Sequence, residues 1–247
     1  MSTLENTNFG VYTPSSNRPE NVENVTKTFA PYEVTWLVPE GQGESYEKTG
    51  ATSVIEVATP EGERPLPVAR NAALNHAFER ELICIQSDDD PKKLQTYDFA
   101  TGKAKEGTFT DYVRVLSEGM RKTGARLAGC APTPNAYFSK GEIKTTHFIC
   151  AHIFATKPTD LRFDVMAAVR EDYEYTCQHI SRYGLVARCD ELLPTYAHWT
   201  NKGGCQDYRS DELDVQVNEM LIARWPDLLR HHPKRKNELI LRHRAAR

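Results

Sequence analysis

The stretch ELICIQSDDDP, Glu81–Pro91, decides how the chain is read. Leu82, Ile83, Cys84 and Ile85 suit a strand covered on both faces, as parallel strands usually are. That strand runs straight into three adjacent carboxylates, Asp88, Asp89 and Asp90, and a proline closes the run. Unpaired charges are too costly to bury in a core. The triplet is then either a solvated turn, where Asp is common, or a place where something positive gathers. A divalent cation carrying phosphate oxygens would neutralise three like charges, because hard cations prefer oxygen ligands.

Upstream of this strand the chain alternates short β-type runs with helical ones. Phe9–Pro14, Tyr32–Pro39 and Thr52–Thr59 are rich in β-branched and aromatic residues and read as strands. Val68–Arg80 reads as a helix, with Ala73/Ala77 and Leu74/Phe78 paired at i,i+4. Strands alternating with helices predict an α/β fold with a mostly parallel sheet. Ligands of such sheets bind outside the carboxyl ends of the strands, which is where the aspartates fall.

Downstream the pattern is less regular. Thr110–Gly124, Arg170–Gly184 and Asp211–Trp225 read as helices, with Gly184 a natural C-terminal cap. Thr146–Thr156 and Leu185–Cys189 read as strands, and Ala131–Thr145 and Leu193–Asp207 as loops. No internal repeat or low-complexity linker interrupts the 247 residues, so one domain is expected, with residues 1–7 flexible.

Composition narrows the class. Hydrophobic residues make up 39% and charged residues 26%, a balance typical of a water-soluble globular fold. No apolar run approaches the roughly 18 residues a membrane span needs. MSTLENTNFG lacks the basic and apolar regions of a secretory signal, so a cytoplasmic protein is expected. The six cysteines form no C-x-x-C pair and read as reduced thiols rather than disulfides or a zinc site. The net charge of −3 is uneven. Ile222–Arg247 holds eight Lys/Arg against two acidic residues, leaving −9 on residues 1–221. A basic helical tail over 222–247 is expected, facing either solvent or a polyanion.

Three further segments could carry chemistry. TPSSNR (Thr13–Arg18) follows the first strand and could meet a nucleotide, or be an ordinary helix-capping loop. ARN (Ala69–Asn71) could bring Arg70 to a diphosphate near a helix N-terminus, or be a surface arginine. RED (Arg170–Asp172) opens a helix. Its carboxylates could stabilise the helix dipole, or one could be a general base. His198, before Gly203 and Gly204, could be a metal ligand or phosphate contact, although a lone histidine is more often neither.

Taken in order, strand, TPSSNR, helix, two strands, ARN helix, strand, SDDD and RED helix, the chain resembles GT-A fold nucleotide-sugar glycosyltransferases. Asp88 and Asp90 fall where that fold carries its D-x-D motif. The set PVARNAAL…ICIQSDDD…REDYEY…KGG further resembles the bacteriophage TET-associated glycosyltransferases, which add sugars to 5-hydroxymethylcytosine in DNA. The resemblance runs from about Phe9 to Arg242.

It implies a Rossmann-like, mostly parallel sheet flanked by helices, a nucleotide-sugar donor with UDP-sugar favoured, and Mn²⁺ or Mg²⁺. Thr13, Ser15, Asn17 and Arg18 would border the nucleoside, and Arg70 the diphosphate. Asp88 and Asp90 would hold ribose and metal with Asp89 close by, and His198 would sit near metal or diphosphate. Asp172 would be the base, with Glu171 the alternate, and the sugar would transfer with inversion. DNA would be held by Lys140, Lys144, Arg230, Lys234, Arg235 and Lys236, and a phage protein would act in the host cytoplasm. Two other readings remain. One is a GT-A enzyme with a polysaccharide, lipid or protein acceptor. The other is an inactive, nucleic-acid-binding relative.

Overall fold

In the computed structural model, residues 8–167, 169–197 and 210–242 are described. The elements in chain order are β1 (Phe9–Pro14), α1 (Val22–Phe29), β2 (Val34–Pro39), α2 (Gly43–Lys48), β3 (Ser53–Val57), α3 (Pro65–Phe78) and β4 (Ile83–Ser87). There follow β5 (Pro91–Lys93), β6 (Gln95–Asp98), β7 (Lys103–Glu106), α4 (Phe109–Thr123), β8 (Leu127–Cys130), α5 (Ala136–Ser139), β9 (Ile143–Lys144) and β10 (Cys150–Thr156). The chain continues with α6 (Glu171–Tyr183), β11 (Ala187–Cys189), β12 (Thr195–Tyr196), α7 (Asp211–Arg224), β13 (Leu229–His231) and β14 (Leu239–Leu241).

Eight strands form one sheet in the order β3-β2-β1-β4-β10-β8-β11-β9. β1 to β4 pair in parallel, as do β8 and β11, while β10 and β9 run against their neighbours. This is the expected mostly parallel α/β sheet. Every residue of β4 is buried, as its unbroken apolar run requires.

The sheet is covered on both faces. On one, Phe29 of α1 stacks on Phe109 of α4 with ring centres 4.3 Å apart, over Val11, Trp36 and Ile85. On the other, Leu74 and Ala77 of α3 and Tyr175 of α6 pack on Tyr12, Leu37 and Phe154. Local chemistry fixes the helix ends. Thr108 and Asp111 form a reciprocal capping box at the start of α4. Gly184 closes α6 at φ 80°, as its sequence position suggested. The five described cysteines are unpaired and buried, and no helix among the described residues is long and apolar enough to cross a membrane.

Two expectations need correction. α3 begins at Pro65, a favoured first helical residue, so Arg70 lies in its second turn rather than at its N-terminus. The expected helical tail is instead a hairpin. Pro226 disfavours helical backbone at Trp225, which ends α7 (φ −123°, ψ 54°), and Pro233 bars a helix further on. β13 and β14 then pair antiparallel, Leu229 opposite Leu241, and bury Leu229, Leu239 and Leu241 against the α6 side of the core.

Candidate functional site

A cavity of about 570 Å³ opens at the carboxyl ends of β1 to β4. That volume suits a small-molecule or cofactor-sized ligand. Ser15, Ser16 and Arg18 enter it from the end of β1, Leu37 to Pro39 from β2, Val57 from the end of β3 and Thr59 from just beyond it, and Ala69 and Arg70 from α3. Asp88 to Asp90 come from the end of β4. β10 runs the other way, so its starting end faces the same space and brings Phe148, Cys150 and His152. The far wall is Arg170 to Tyr173 at the start of α6, with Glu238 from the hairpin.

The three aspartates have three different surroundings. Asp89 turns inward and is 4% exposed. Arg18 Nη1 donates to its Oδ1 at 2.9 Å and Ser15 Oγ to its Oδ2 at 2.5 Å, while Ser15 Oγ also meets the Tyr46 hydroxyl at 2.7 Å. Burial raises the Asp89 pKa against the opposing pull of Arg18 and Ser15. Asp88 stays partly open to the cavity. Its amide donates to the His152 carbonyl and its Oδ1 accepts from Arg70 Nη2 at 3.0 Å. Asp90 is pushed up to about 6, first by burial and then by the charges of Asp88 and Asp89, with Arg18 and His152 opposing. The middle residue is thus the fold's own ion-pair partner, and the outer two carry the charge that faces the cavity.

Arg70 is expected against a diphosphate. Its side chain is only 2% exposed and faces two carboxylates, Asp88 and Glu171, at 3.0 and 3.4 Å. The guanidinium also lies over the rings of Phe154 and Phe163, 5.5 and 5.8 Å from their centres. Arg70 thus lines the cavity while pairing with carboxylates from the end of β4 and the start of α6. Glu171 is 6% exposed and is pushed up to about 7, chiefly by burial, with Arg70 opposing and Asp172 adding. Asp172 is more open, and its Oδ1 accepts from the Tyr173 amide at 2.9 Å. Burial raises the Asp172 pKa too, against Arg170 and Arg70. Of the pair, Glu171 is engaged by Arg70 and Asp172 is the freer to meet a ligand.

Two residues of this cavity were not singled out from sequence. His152 sits in the mostly apolar strand β10. Burial works to discharge it, but Cys150 and the carboxylates of Asp88 and Asp172 outweigh that and raise it to about 9. An isolated histidine in an apolar run was the available signal. Glu238 gave none, because a helical tail would not bring it back to the sheet.

The remaining expected residues are spread more widely. Thr13 is fully buried within β1 and does not line the cavity. Asn17, at φ 56°, is exposed and exchanges hydrogen bonds with Gln42 instead of facing the cavity. Lys144 pairs with the buried Asp190 at 2.8 Å at the sheet edge. Lys140 is exposed after α5, and Arg230, Lys234, Arg235 and Lys236 are exposed on the hairpin. His198 and residues 1–7 lie outside the described residues. Among the described residues, no group of three or more His, Cys, Asp or Glu side chains is arranged to hold a metal ion unaided.

No family model matches the chain, and no curated protein matches it. Four chains of solved structures do. One is a mannose-1-phosphate geranyltransferase from Thermus thermophilus, 11% identical over 77% of this chain and 58% of that one, with a TM-score of 0.36. The chain therefore spans less than two thirds of that structure's length, and the similarity is remote.

Proposed function

We propose that this chain is a glycosyltransferase of the GT-A type. It would move a sugar from a nucleotide-sugar, with UDP-sugar the favoured donor, to the hydroxymethyl group of 5-hydroxymethylcytosine in DNA. One observation carries the reading. Two cavity-facing carboxylates at the end of β4, a histidine on β10 and a second carboxylate pair at the start of α6 surround one ligand-sized space. A chain that only bound nucleic acid would have little use for so many carboxylates in one cavity.

A divalent cation fits the residues present. Such ions are commonly held by one or two carboxylates together with substrate phosphates, and Asp88 and Asp90 supply hard oxygen donors beside space for a diphosphate. When bound, Mn²⁺ or Mg²⁺ would offset the charge that develops on the departing diphosphate. The rest falls to the protein. His152 offers a hydrogen-bonding imidazole on the same side of the cavity. The apolar wall from Leu37 to Pro39 and Val57 takes the nucleoside. Asp172 accepts the proton of the attacking hydroxyl, while Arg70 holds Glu171 and Asp88 in register. A base acting opposite the leaving group gives inversion, and NMR of the product should show the anomer opposite to the donor's.

The exposed Arg230, Lys234, Arg235 and Lys236 support a polyanionic acceptor. The test is mass spectrometry of nucleosides from hydroxymethylcytosine DNA incubated with the protein, Mn²⁺ and a panel of nucleotide-sugars. A new mass one hexose or hexosamine above 5-hydroxymethylcytosine is expected. Transfer to a polysaccharide, lipid or protein but never to this DNA would refute the acceptor. No transfer to any acceptor would refute the enzyme.

A further inference from the structure

The hairpin of β13 and β14 reaches the cavity at one point, and that point is built with care. Asn237 sits in the left-handed region at φ 57°, uncommon for a residue other than glycine. Two donors hold its carbonyl. Arg170 Nη2 donates at 2.7 Å and Asn218 Nδ2 at 3.1 Å, and Arg170 Nε in turn donates to Asn218 Oδ1 at 3.2 Å. Arg170 is 8% exposed and Asn218 fully buried, so the clamp is rigid. Two residues further on, Tyr173 donates its hydroxyl to the Leu239 carbonyl at 3.0 Å.

Between these fixed points Glu238 lines the cavity, and its carboxylate has no hydrogen bond or ion pair among the described residues. A carboxylate held at a ligand-sized cavity by a clamped backbone, with nothing of the protein to accept from, suits a hydrogen-bond donor on a ligand. Beside it Phe148 and Tyr173 lie face to face, ring centres 3.9 Å apart at 13°, and both line the same wall. Just before it, Lys234, Arg235 and Lys236 stand in solvent. Cations outside, a carboxylate inside and an aromatic wall beside it match a polyanion presenting a flat ring that carries an N–H group.

We propose that Glu238 is the residue that selects the acceptor base. It accepts a hydrogen bond from the exocyclic amine of a cytosine ring placed against Phe148 and Tyr173, while Lys234 to Lys236 hold the neighbouring phosphates. This rests on the reading of the site as acting on DNA and adds to it a base preference set by one side chain. A carboxylate opposite a cytosine amine is a matched pair, whereas the O4 of a uracil ring would face it acceptor to acceptor.

Fluorescence anisotropy with the full chain tests it. The probes are two duplexes identical except for one central 5-hydroxymethylcytosine or 5-hydroxymethyluracil. The unaltered chain should bind the cytosine duplex about 5- to 150-fold more tightly, the range expected of one well-placed base contact. Glu238→Gln, whose amide can also donate, should bring the ratio below about threefold. Phe148→Leu should weaken both duplexes alike, at least about fivefold, as loss of stacking does. Equal binding of the two duplexes, a ratio unchanged in E238Q, or no duplex binding at low salt would each overturn the proposal. Base preference without sugar transfer from any donor would instead overturn only the glycosyltransferase reading.

Discussion

The three aspartates at the end of β4 should part company when each is changed, and the sign of each change follows from its surroundings. Asp89→Asn keeps the shape but removes the carboxylate that the mostly buried Arg18 guanidinium pairs with at 2.9 Å. Breaking a buried pair by removing one partner costs about 3–5 kcal/mol. Burial raises the Asp89 pKa, so removing its charge returns part of that cost, and the asparagine oxygen can still accept one bond. A net loss at the low end, about 3 kcal/mol, is expected from the lost ion pair, or roughly 6–12 °C in Tm for a chain of this size.

Asp90→Asn should act oppositely. The folded pKa of about 6 lies above the ordinary 3.8. Charged Asp90 therefore costs nothing below pH 4, and its cost grows as pH rises through 6. The shift corresponds to about 3 kcal/mol at neutral pH, and solvent screening at this partly open site reduces it to about 1–2 kcal/mol. Melting followed by circular dichroism at pH 7.5 in EDTA should place D89N below the parent and D90N above it, with the D90N advantage gone at pH 4. Adding Mn²⁺ and UDP should then raise the parent's Tm and leave D90N unmoved. If D89N melts with the parent, or D90N melts below it in EDTA, the division of labour argued for these residues is wrong.

Other outcomes follow from the same geometry. Asp172→Asn should lower kcat about 10²- to 10⁴-fold with Tm held, as loss of a general base does, whereas Glu171→Gln should lower it less; equal losses would mean the base is misassigned. Arg70→Met should cost about 3–5 kcal/mol in urea unfolding by stranding Asp88 and Glu171, and adding Glu171→Gln should recover part of it; strictly additive losses would argue against the pairing. Burial holds the fully enclosed His179 down at about 4, against a usual 6.5. Its contribution to stability is complete above pH 6.5 and falls by about 3 kcal/mol as pH drops to 4, so stability of His179→Gln relative to the parent should rise over that range, and a flat difference would refute it.

Much of the fold was legible because the signals were local and redundant. The unbroken apolar run of β4 and the cap at Gly184 left little choice of element, and the aspartates' place at a strand end located the cavity. Roles within the cavity were harder to read. Three adjacent aspartates look alike in one dimension, and only the tertiary approach of Ser15 and Arg18 singles out Asp89. Nothing in ARN reveals that the helix begins five residues earlier, or that the Arg70 guanidinium pairs with Asp88 and Glu171 where it lines the cavity. The basic tail reads as helical on its charge, although Pro226 and Pro233 argue otherwise. Glu238 is lost with it, and Lys144 cannot be told from a free lysine without its distant partner, Asp190.

Arg70 has a consequence for anyone who would retool this protein. One guanidinium spans Asp88, from the strand side of the cavity, and Glu171, from the helix side, so the two halves cannot be redesigned separately. A lysine there, with a single compact ammonium in place of a planar fork, could satisfy one carboxylate but not both. Laboratory evolution toward a new donor should therefore produce compensating changes around the RED helix, and evolution toward a new acceptor should produce them around the aspartates.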